Sequence, residues 1–206
     1  MNFNLGFEKK HSCHTALIRI IDDWIDGIDN GNYVGALFLD LRKTFDLVDH
    51  QILIHKLKLY NFSDNSVQLI TSYLKDRHQI VKFGDSQSSR RCIRSGVPQG
   101  SILGPILFLI YINDITFEIE NSWIDLYADD TTLYAKSSNT QEIERTLQIN
   151  SDMVSDWCKV NNMAIHPQKT NCMLLGSNAK LRNACALNLF VDKVLIENVT
   201  SKKLLF

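Results

Sequence analysis

The sequence predicts an α+β fold, because helical and strand patterns interleave along its 206 residues without the strict alternation of a doubly wound sheet. The clearest helical pattern covers residues 140–161, where apolar side chains recur at the spacing of one helix face. These side chains are Ile143, Leu147, Val154 and Trp157. The clearest strand pattern covers residues 33–41, an almost continuously apolar run that indicates a buried strand. The length suits one large domain, or one domain with an added lobe.

Three further helices are predicted in the first half of the chain. Residues 14–28 carry apolar side chains close to a 3.6-residue period, and Gly27 and Gly31 are residues of the kind that end a helix. Residues 52–59 and 67–74 have the pattern of shorter helical segments. The buried strand is therefore expected to follow one helix in the chain and to precede two others.

A basic ribbon is predicted next. Residues 79–83 and 91–94 have the composition of two paired strands, and residues 84–89 form a polar turn between them. Residues 75–94 contain six Lys and Arg against two Asp, whereas the whole chain has a formal net charge of −1. That overall charge is unusual for a nucleic-acid binder, and the local excess of positive charge offsets the objection. The alternative interpretation of this segment is an ordinary solvated surface.

A loop is predicted at residues 96–100, whose sequence is Gly-Val-Pro-Gln-Gly. Ser101 is placed to cap the helix that follows, and Pro105 falls in its first turn, where proline is tolerated. By itself, such a Gly-Pro-Gln-Gly run indicates no more than a turn.

The second half of the chain contains shorter strand patterns. They lie at residues 124–128, 131–135, 172–175, 187–191 and 194–196. The first two flank Asp129-Asp130 and the last two flank Asp192-Lys193, so each pair predicts a hairpin.

Composition narrows the cellular setting of the protein. The hydrophobic fraction of 45% and the charged fraction of 22% are ordinary for a globular protein with a core. The five cysteines are widely spaced and odd in number, which predicts free thiols in a reducing compartment. The longest apolar stretch, residues 102–112, is too short to span a bilayer, and the N-terminus lacks a signal-peptide pattern. We expect an intracellular protein of the nucleus or cytoplasm that is not in a membrane.

Three carboxylates carry the main chemical signal. Asp40 comes at the end of the predicted buried strand, where a charge needs compensation. Asp129 and Asp130 repel each other at a hairpin tip, and a cation relieves that repulsion. If the strand ends meet on one sheet, the three carboxylates converge as a two-metal phosphoryl-transfer centre requires, and Mg²⁺ prefers such ligands. Taken alone, an Asp-Asp pair is usually a solvated turn and a strand-terminal Asp is usually a cap.

Five sequence segments follow one another in the order of a known motif series. They are LGFEKKHSCHTAL (5–17), ALFLDLRKTFDLVDH (36–50), SGVPQGSILGPILFLIYINDI (95–115), LYADDTTLYA (126–135) and WCKVNNMAIHPQKTNCMLLGS (157–177). The last four resemble motifs A, B, C and D of the reverse transcriptases of non-LTR retrotransposons, of the jockey and LINE type. The first resembles the stretch just upstream of motif A. The resemblance implies a polymerase palm, in which helices back an antiparallel sheet, with part of the fingers.

The resemblance implies an RNA-directed DNA polymerase that adds dNTPs to a primer 3′-hydroxyl on an RNA template with two Mg²⁺ ions, for which Mn²⁺ could substitute. Asp40, Asp129 and Asp130 match the catalytic metal ligands of the family. Leu41 would add its backbone carbonyl to the metal site. Lys169 matches the motif D lysine, which protonates the departing pyrophosphate or attracts phosphate charge.

Substrate contacts are implied in motifs A and B. The backbone N–H groups of Lys43 and Thr44 would face the triphosphate, as a loop nest does for anions. Phe45 falls at the position of the aromatic steric gate, which leaves no room for a 2′-hydroxyl. Gln99 would contact the nucleotide sugar or the template base, and Gly100 allows close backbone approach.

The expected partners are an RNA template, a DNA primer and dNTPs, and no stable protein partner is inferred. Arg77, Arg91 and Arg94 are predicted to contact the template–primer backbone electrostatically.

Several features depart from the family pattern. Arg42 stands where a small residue is common, and His166 stands where the family has Asn. The chain begins just before motif A, and residues 199–206 resemble the approach to motif E, so the upstream fingers strands and the thumb are expected to be absent. Two alternatives stay open: a truncated, non-catalytic relic that acts at most as a nucleic-acid-binding or interaction module, and an RNA-dependent RNA polymerase, against which Phe45 argues.

Overall fold

The computed structural model of the protein describes residues 13–98, 100–127 and 130–202. The chain forms two compact units. The first, which we call the sheet unit, comprises Met1–Arg42 and Asn113–Phe206. The second, which we call the helical unit, comprises Lys43–Ile112. Each unit is described separately below.

The described residues form helices and strands in the interleaved order that the sequence predicts. The helices are α1 (Cys13–Asp29), α2 (Thr44–Leu47), α3 (His50–Leu59), α4 (Asp64–Leu74), α5 (Leu103–Ile112), α6 (Thr140–Val160) and α7 (Asn178–Leu181), with a 3₁₀ helix at Asn113–Glu118. The strands are β1 (Tyr33–Asp40), β2 (His78–Gln79), β3 (Lys82–Phe83), β4 (Ser86–Gln87), β5 (Arg91–Cys92), β6 (Trp123–Tyr127), β7 (Asp130–Ser137), β8 (Asn171–Leu175), β9 (Phe190–Val191), β10 (Val194–Leu195) and β11 (Glu197–Asn198). The predicted α+β class is confirmed.

A five-stranded sheet in the order β11-β8-β1-β7-β6 is the centre of the sheet unit. β1 pairs antiparallel with both β7 and β8, and β7 pairs antiparallel with β6. β11, which the sequence did not predict, runs parallel to β8 at the edge. β1 is thus central and its interior is buried, which explains why the sequence shows an apolar run there rather than an alternating pattern.

Helices cover both faces of β1. On one face, Val34, Ala36 and Phe38 pack with Trp24 of α1, whose ring meets Phe38 edge-on. On the other face, Gly35 lies so close to Ile143 of α6 that a Cβ atom would overlap it. Successive strand residues point to opposite faces, so Asp40 belongs to the α1 face.

α1 confirms the predicted first helix, but the predicted role of Gly27 is wrong. The helix continues through Gly27 and ends at Asp29, shortly before Gly31. A Cβ at Gly27 would lie 2.7 Å from Lys136 Cδ, so this glycine permits close packing of α1 on β7. Glycine at this position is therefore explained by tertiary packing and not by helix termination.

The helical unit contains the predicted α3, α4 and α5, together with the unpredicted short helix α2. The predicted cap is confirmed: the Gly104 N–H donates to Ser101 Oγ over 2.9 Å, and Pro105 lies in the first turn of α5. A buried cation joins two of these helices. Lys56 of α3 is only 5% exposed, and its Nζ donates over 2.7 Å to the Tyr111 carbonyl of α5 while lying 4.7 Å from the Tyr111 ring centroid.

The basic ribbon differs from its prediction in detail. Two separate pairs replace one continuous ladder, because β2 pairs with β5 and β3 pairs with β4. β4 occupies part of the predicted turn at residues 84–89, so the true reversal is confined to Gly84 and Asp85. Between the two pairs, Ser88 Oγ accepts from the Val81 N–H over 2.9 Å, so a side chain here takes the place of a ladder carbonyl.

The remaining predicted elements are confirmed with small shifts of their ends. β6 and β7 form the predicted hairpin, and β9 and β10 form the second one with Asp192 and Lys193 at positive φ in its turn. The inward side chains predicted for α6 are buried. Cys92, Cys158, Cys172 and Cys185, the cysteines with described side chains, are free thiols as predicted. Within the described ranges, no helix has both the length and the apolar character needed to cross a membrane.

Candidate functional site

Two of the three predicted carboxylates lie directly opposite each other on neighbouring strands. Asp40 of β1 is the register partner of Asp130 of β7. The Asp40 N–H donates to Thr170 Oγ1 over 3.3 Å, and its carbonyl accepts from the His166 N–H over 2.7 Å. Both bonds lie on the edge of β1 away from β7, so Asp40 and Asp130 form a non-hydrogen-bonded pair. In such pairs the Cα atoms are about 4.5 Å apart and the side chains approach most closely.

This pairing places two acidic residues opposite each other in the sheet. Like charges directly opposite on antiparallel strands destabilise a sheet by roughly 0.2–1 kcal/mol. Asp129 precedes Asp130 but lies outside the described residues, so the convergence of three carboxylates stays a prediction. Among described residues, no group of three or more His, Cys, Asp or Glu side chains is placed to hold a metal. The carboxylates of Asp40 and Asp130 are hard oxygen donors, a ligand type that fits Mg²⁺.

The backbone of Leu41 is oriented by its pairing with the segment around Ile165. Leu41 forms an isolated antiparallel bridge with Ile165. The bridge is framed by two hydrogen bonds, from the Arg42 N–H to the Ala164 carbonyl and from the His166 N–H to the Asp40 carbonyl. Because both bonds come from the residues on either side of Leu41, its own carbonyl points to the opposite edge of β1, the edge shared with β7.

Lys169 lies in a turn that is attached to the backbone of Asp40. The N–H groups of Lys169 and Thr170 both donate to the His166 carbonyl over 3.0 Å. Thr170 is only 1% exposed. Its hydroxyl donates to the same carbonyl and accepts from the Asp40 N–H. Thr170 was missed by the sequence reasoning, although it directly follows the lysine of the motif D segment. His166 contributes through its backbone, and its buried Nδ1 has no hydrogen-bond partner in the described part of the chain.

A second missed residue, Lys202, places a cation on the same face of the sheet. Its Nζ lies 2.8 Å from Asn171 Oδ1 and 5.7 Å from the ring centroid of Phe38. Phe38 shares its face with Asp40, two residues further along β1. The signal available in the sequence was the position of Lys202 in the segment that resembles the approach to motif E.

Within the helical unit, the predicted substrate residues of motif A surround the start of α2. Lys43 is exposed and adopts the left-handed conformation as the residue that precedes the helix, with φ 43° and ψ 45°. Thr44 is buried, and Phe45 is half-buried with its ring centroid 4.8 Å from that of Phe108. The Phe45 ring thus rests against α5 on one side.

The motif B loop is hydrogen-bonded to α2. The Gly96 N–H donates to the Val48 carbonyl over 2.7 Å, and the Val97 N–H donates to the Phe45 carbonyl over 2.8 Å. Gly96 has φ +86°, and a Cβ there would lie 2.9 Å from the Asp46 carbonyl oxygen. The loop and the backbone of the predicted gate therefore form one packed piece. Gln99 lies outside the described residues, and Gly100 has φ +77° with open space where a Cβ would be.

The three arginines predicted to contact nucleic acid line one surface pocket. Arg77, Arg91 and Arg94 share it with the backbone that leads into the motif B loop. The pocket also contains Asp46, so three cationic side chains face one carboxylate among its charged groups. The structure therefore brings these residues together, although they span 18 positions of sequence.

Comparison with known proteins decides the family. Residues 2–203 match the family described as "Reverse transcriptase (RNA-dependent DNA polymerase)". The chain belongs to the reverse transcriptase family. It is 33% identical over 172 residues to the "Probable RNA-directed DNA polymerase from transposon BS" of Drosophila melanogaster, covering 80% of this chain and 19% of that protein. It is also 30% identical over 174 residues to the RNA-directed DNA polymerase from mobile element jockey of the same species, covering 81% and 19%.

These relatives confirm the predicted resemblance to non-LTR retrotransposon polymerases, and they belong to a family of enzymes. The chain spans about a fifth of their length. Its fold resembles telomerase from Candida tropicalis, with a TM-score of 0.62 at 15% identity over 81% of this chain and 30% of that one. Telomerase from Candida albicans gives a TM-score of 0.58 at 16% identity, over 82% and 31%. These likenesses confirm the predicted reverse-transcriptase palm-like α+β fold.

Proposed function

We propose that this chain is the nucleotidyl-transfer part of an RNA-directed DNA polymerase, which adds dNTPs to a DNA primer on an RNA template. The observation that carries the proposal is the register pairing of Asp40 with Asp130, next in sequence to Asp129. Membership of the reverse transcriptase family supports it. In this proposal the sheet unit is the palm and the helical unit is part of the fingers.

The proposed metal ligands are the carboxylates of Asp40, Asp129 and Asp130, with the carbonyl of Leu41. Reverse transcriptases as a family use divalent metal ions, and we propose two Mg²⁺ ions, with Mn²⁺ as a substitute that accepts the same oxygen donors. When bound, such ions lower the pKa of a primer hydroxyl and neutralise charge on a triphosphate.

The chain's own groups have separate tasks in this proposal. Thr170 and the backbone of His166 position Asp40 through the two hydrogen bonds to its main chain. The exposed ammonium of Lys169 gives a proton to the departing pyrophosphate or attracts its charge. The backbone N–H groups of Lys43 and Thr44 bind the triphosphate at the start of α2.

Primer extension tests the proposal directly. The chain is incubated with an RNA template, a labelled DNA primer, dNTPs and Mg²⁺, and the products are separated by length. We expect extension with Mg²⁺, none with EDTA and none from Asp130→Asn. No extension from the unaltered chain would overturn the proposal and leave the alternative of a non-catalytic module, whose RNA binding would be unchanged in Asp130→Asn.

The sugar preference of the polymerase is predicted to depend on Phe45. We expect Phe45→Val to raise incorporation of rNTP relative to dNTP by about 10- to 200-fold, because a smaller side chain opens the space of a 2′-hydroxyl. The ratio is measured in one reaction, so it is independent of the fraction of folded enzyme. Phe108→Leu is the matched control, because Phe108 contacts the Phe45 ring but is itself buried. An unaltered ratio in Phe45→Val would contradict the gate, and a preference for rNTP in the unaltered chain would favour an RNA polymerase.

A further inference from the structure

The basic ribbon, which we define as residues 77–94, carries an exposed apolar tip. Phe83 is 88% exposed, Val81 60% and Ile80 45%. Every residue from 78 to 92 is exposed, and the two short strand pairs contribute no side chain to a core. Apolar side chains held this far out of a domain are suited to contact with another molecule.

The charge of the ribbon indicates what that molecule is. Arg77, Arg91 and Arg94 gather in the pocket at its base, and Lys82 and Arg90 lie further out. Asp85 is the acidic residue of the segment from 77 to 94. A polyanion therefore complements the ribbon electrostatically. If the acidic backbone of that partner lies at the base, an uncharged part of the same molecule can contact the apolar tip.

The arrangement of base and tip matches the two parts of a nucleotide strand. Gln79 is the strand partner of Arg91, and Phe83 lies four residues further along the chain. At about 3.3 Å per residue, Gln79 and Phe83 are at most roughly 13 Å apart. A strand whose phosphates contact the arginines can therefore reach the Phe83 ring with a base. Unpaired bases offer their faces to aromatic side chains, whereas the bases inside a duplex are stacked on one another.

We propose that the basic ribbon binds single-stranded nucleic acid, with phosphates held at the base by Arg77, Arg91 and Arg94 and one base stacked on Phe83. In an enzyme of the proposed function, the natural occupant is the unpaired part of the RNA template. The identity of the strand rests on that function, whereas the stacking contact rests on the ribbon alone.

Binding without catalysis tests this proposal. The affinity of the chain for a labelled single-stranded RNA is measured by fluorescence anisotropy in EDTA without dNTPs, beside the duplex of the same sequence. We expect Phe83→Ala to weaken single-strand binding by about 5- to 150-fold and duplex binding by much less. Phe83→Trp restores the affinity, because a larger ring stacks at least as well. Phe62→Ala is the control, since Phe62 is a partly exposed aromatic residue of the same unit outside the ribbon.

Salt dependence separates the two kinds of contact. Arg91→Gln is expected to weaken single-strand and duplex binding alike and to reduce the slope of log affinity against log salt by about 0.7 for the single strand. Phe83→Ala leaves that slope unchanged. Unaltered single-strand affinity in Phe83→Ala, or an equal loss for the duplex, would overturn the stacking proposal.

The result is independent of the proposed activity. The binding measurement contains no divalent ion and no dNTP, so it does not depend on nucleotide transfer. Failed primer extension with a normal Phe83 effect would therefore refute the proposed function alone. Normal extension without a Phe83 effect would refute the ribbon proposal alone.

Discussion

Asp40→Asn is expected to lower the rate of dNTP addition by at least about 10³-fold, which corresponds to roughly 4 kcal/mol of lost transition-state stabilisation. The same variant is expected to be more stable than the unaltered chain when divalent ions are removed. Asn is neutral, so it ends the repulsion between the side chains at the register pair of β1 and β7. The gain of roughly 0.2–1 kcal/mol raises the thermal midpoint by about 0.5–4 °C. Loss of activity with gain of stability is the pattern of a functional residue and not of a structural one.

Thermal unfolding in EDTA and in Mg²⁺ measures this effect beside the extension assay. Added Mg²⁺ stabilises the unaltered chain by binding its native state, and we expect a smaller increase in the midpoint for Asp40→Asn. Asp125→Asn is the matched control. Asp125 is a carboxylate of β6, the strand next to β7, and it lies on the same face of the sheet as Asp40. Burial raises the pKa of Asp125, and the nearby Arg19 opposes that shift. A protein cation therefore already faces this carboxylate. We expect this control to keep its activity and its response to Mg²⁺.

A lower midpoint for Asp40→Asn in EDTA would contradict the close opposition of the two carboxylates. Equal stabilisation of Asp40→Asn and of the unaltered chain by Mg²⁺ would show that the ion binds elsewhere.

Gly96→Ala is expected to destabilise the protein by about 2–5 kcal/mol and to lower its thermal midpoint by roughly 5–15 °C. Two costs add at this position. The backbone has φ +86°, which disfavours any residue with a Cβ. The new Cβ would also lie 2.9–3.1 Å from backbone atoms of Phe45 and Asp46, which cannot rotate away as a side chain can. The loop must then separate from α2, with loss of the bonds that Gly96 and Val97 make to it.

Gly84→Ala is the matched control for this prediction. Gly84 also has positive φ, at +57°, but nothing lies within 4 Å of the place where its Cβ would be. It therefore has only the conformational cost of about 1 kcal/mol, or roughly 2–4 °C. Urea unfolding of both variants separates the two terms. Equal losses of stability would show that close approach to α2 contributes nothing at Gly96.

Much of the architecture was predictable because it depends on local pattern. The apolar run of β1 and the helical period of α6 each report their own burial, so both elements were predicted nearly to their ends. The hairpin of β6 and β7 was predictable from two apolar runs beside Asp129 and Asp130. The ribbon was predicted less well, because its exposed strands have no buried face to set their register and Ser88 replaces part of the ladder.

By itself, the sequence determined the family, the α+β class, the candidate carboxylates and the arginine-rich segment, since each is a matter of residue type and spacing. Only the tertiary structure decided that Asp40 and Asp130 form a non-hydrogen-bonded pair, that the Leu41 carbonyl points to the edge shared with β7, and that Thr170 holds the Asp40 backbone. These facts depend on pairing between segments some 90 to 130 residues apart, and the register of such pairing is set by packing of the whole sheet against α1 and α6. Neither period nor propensity within one segment contains that information.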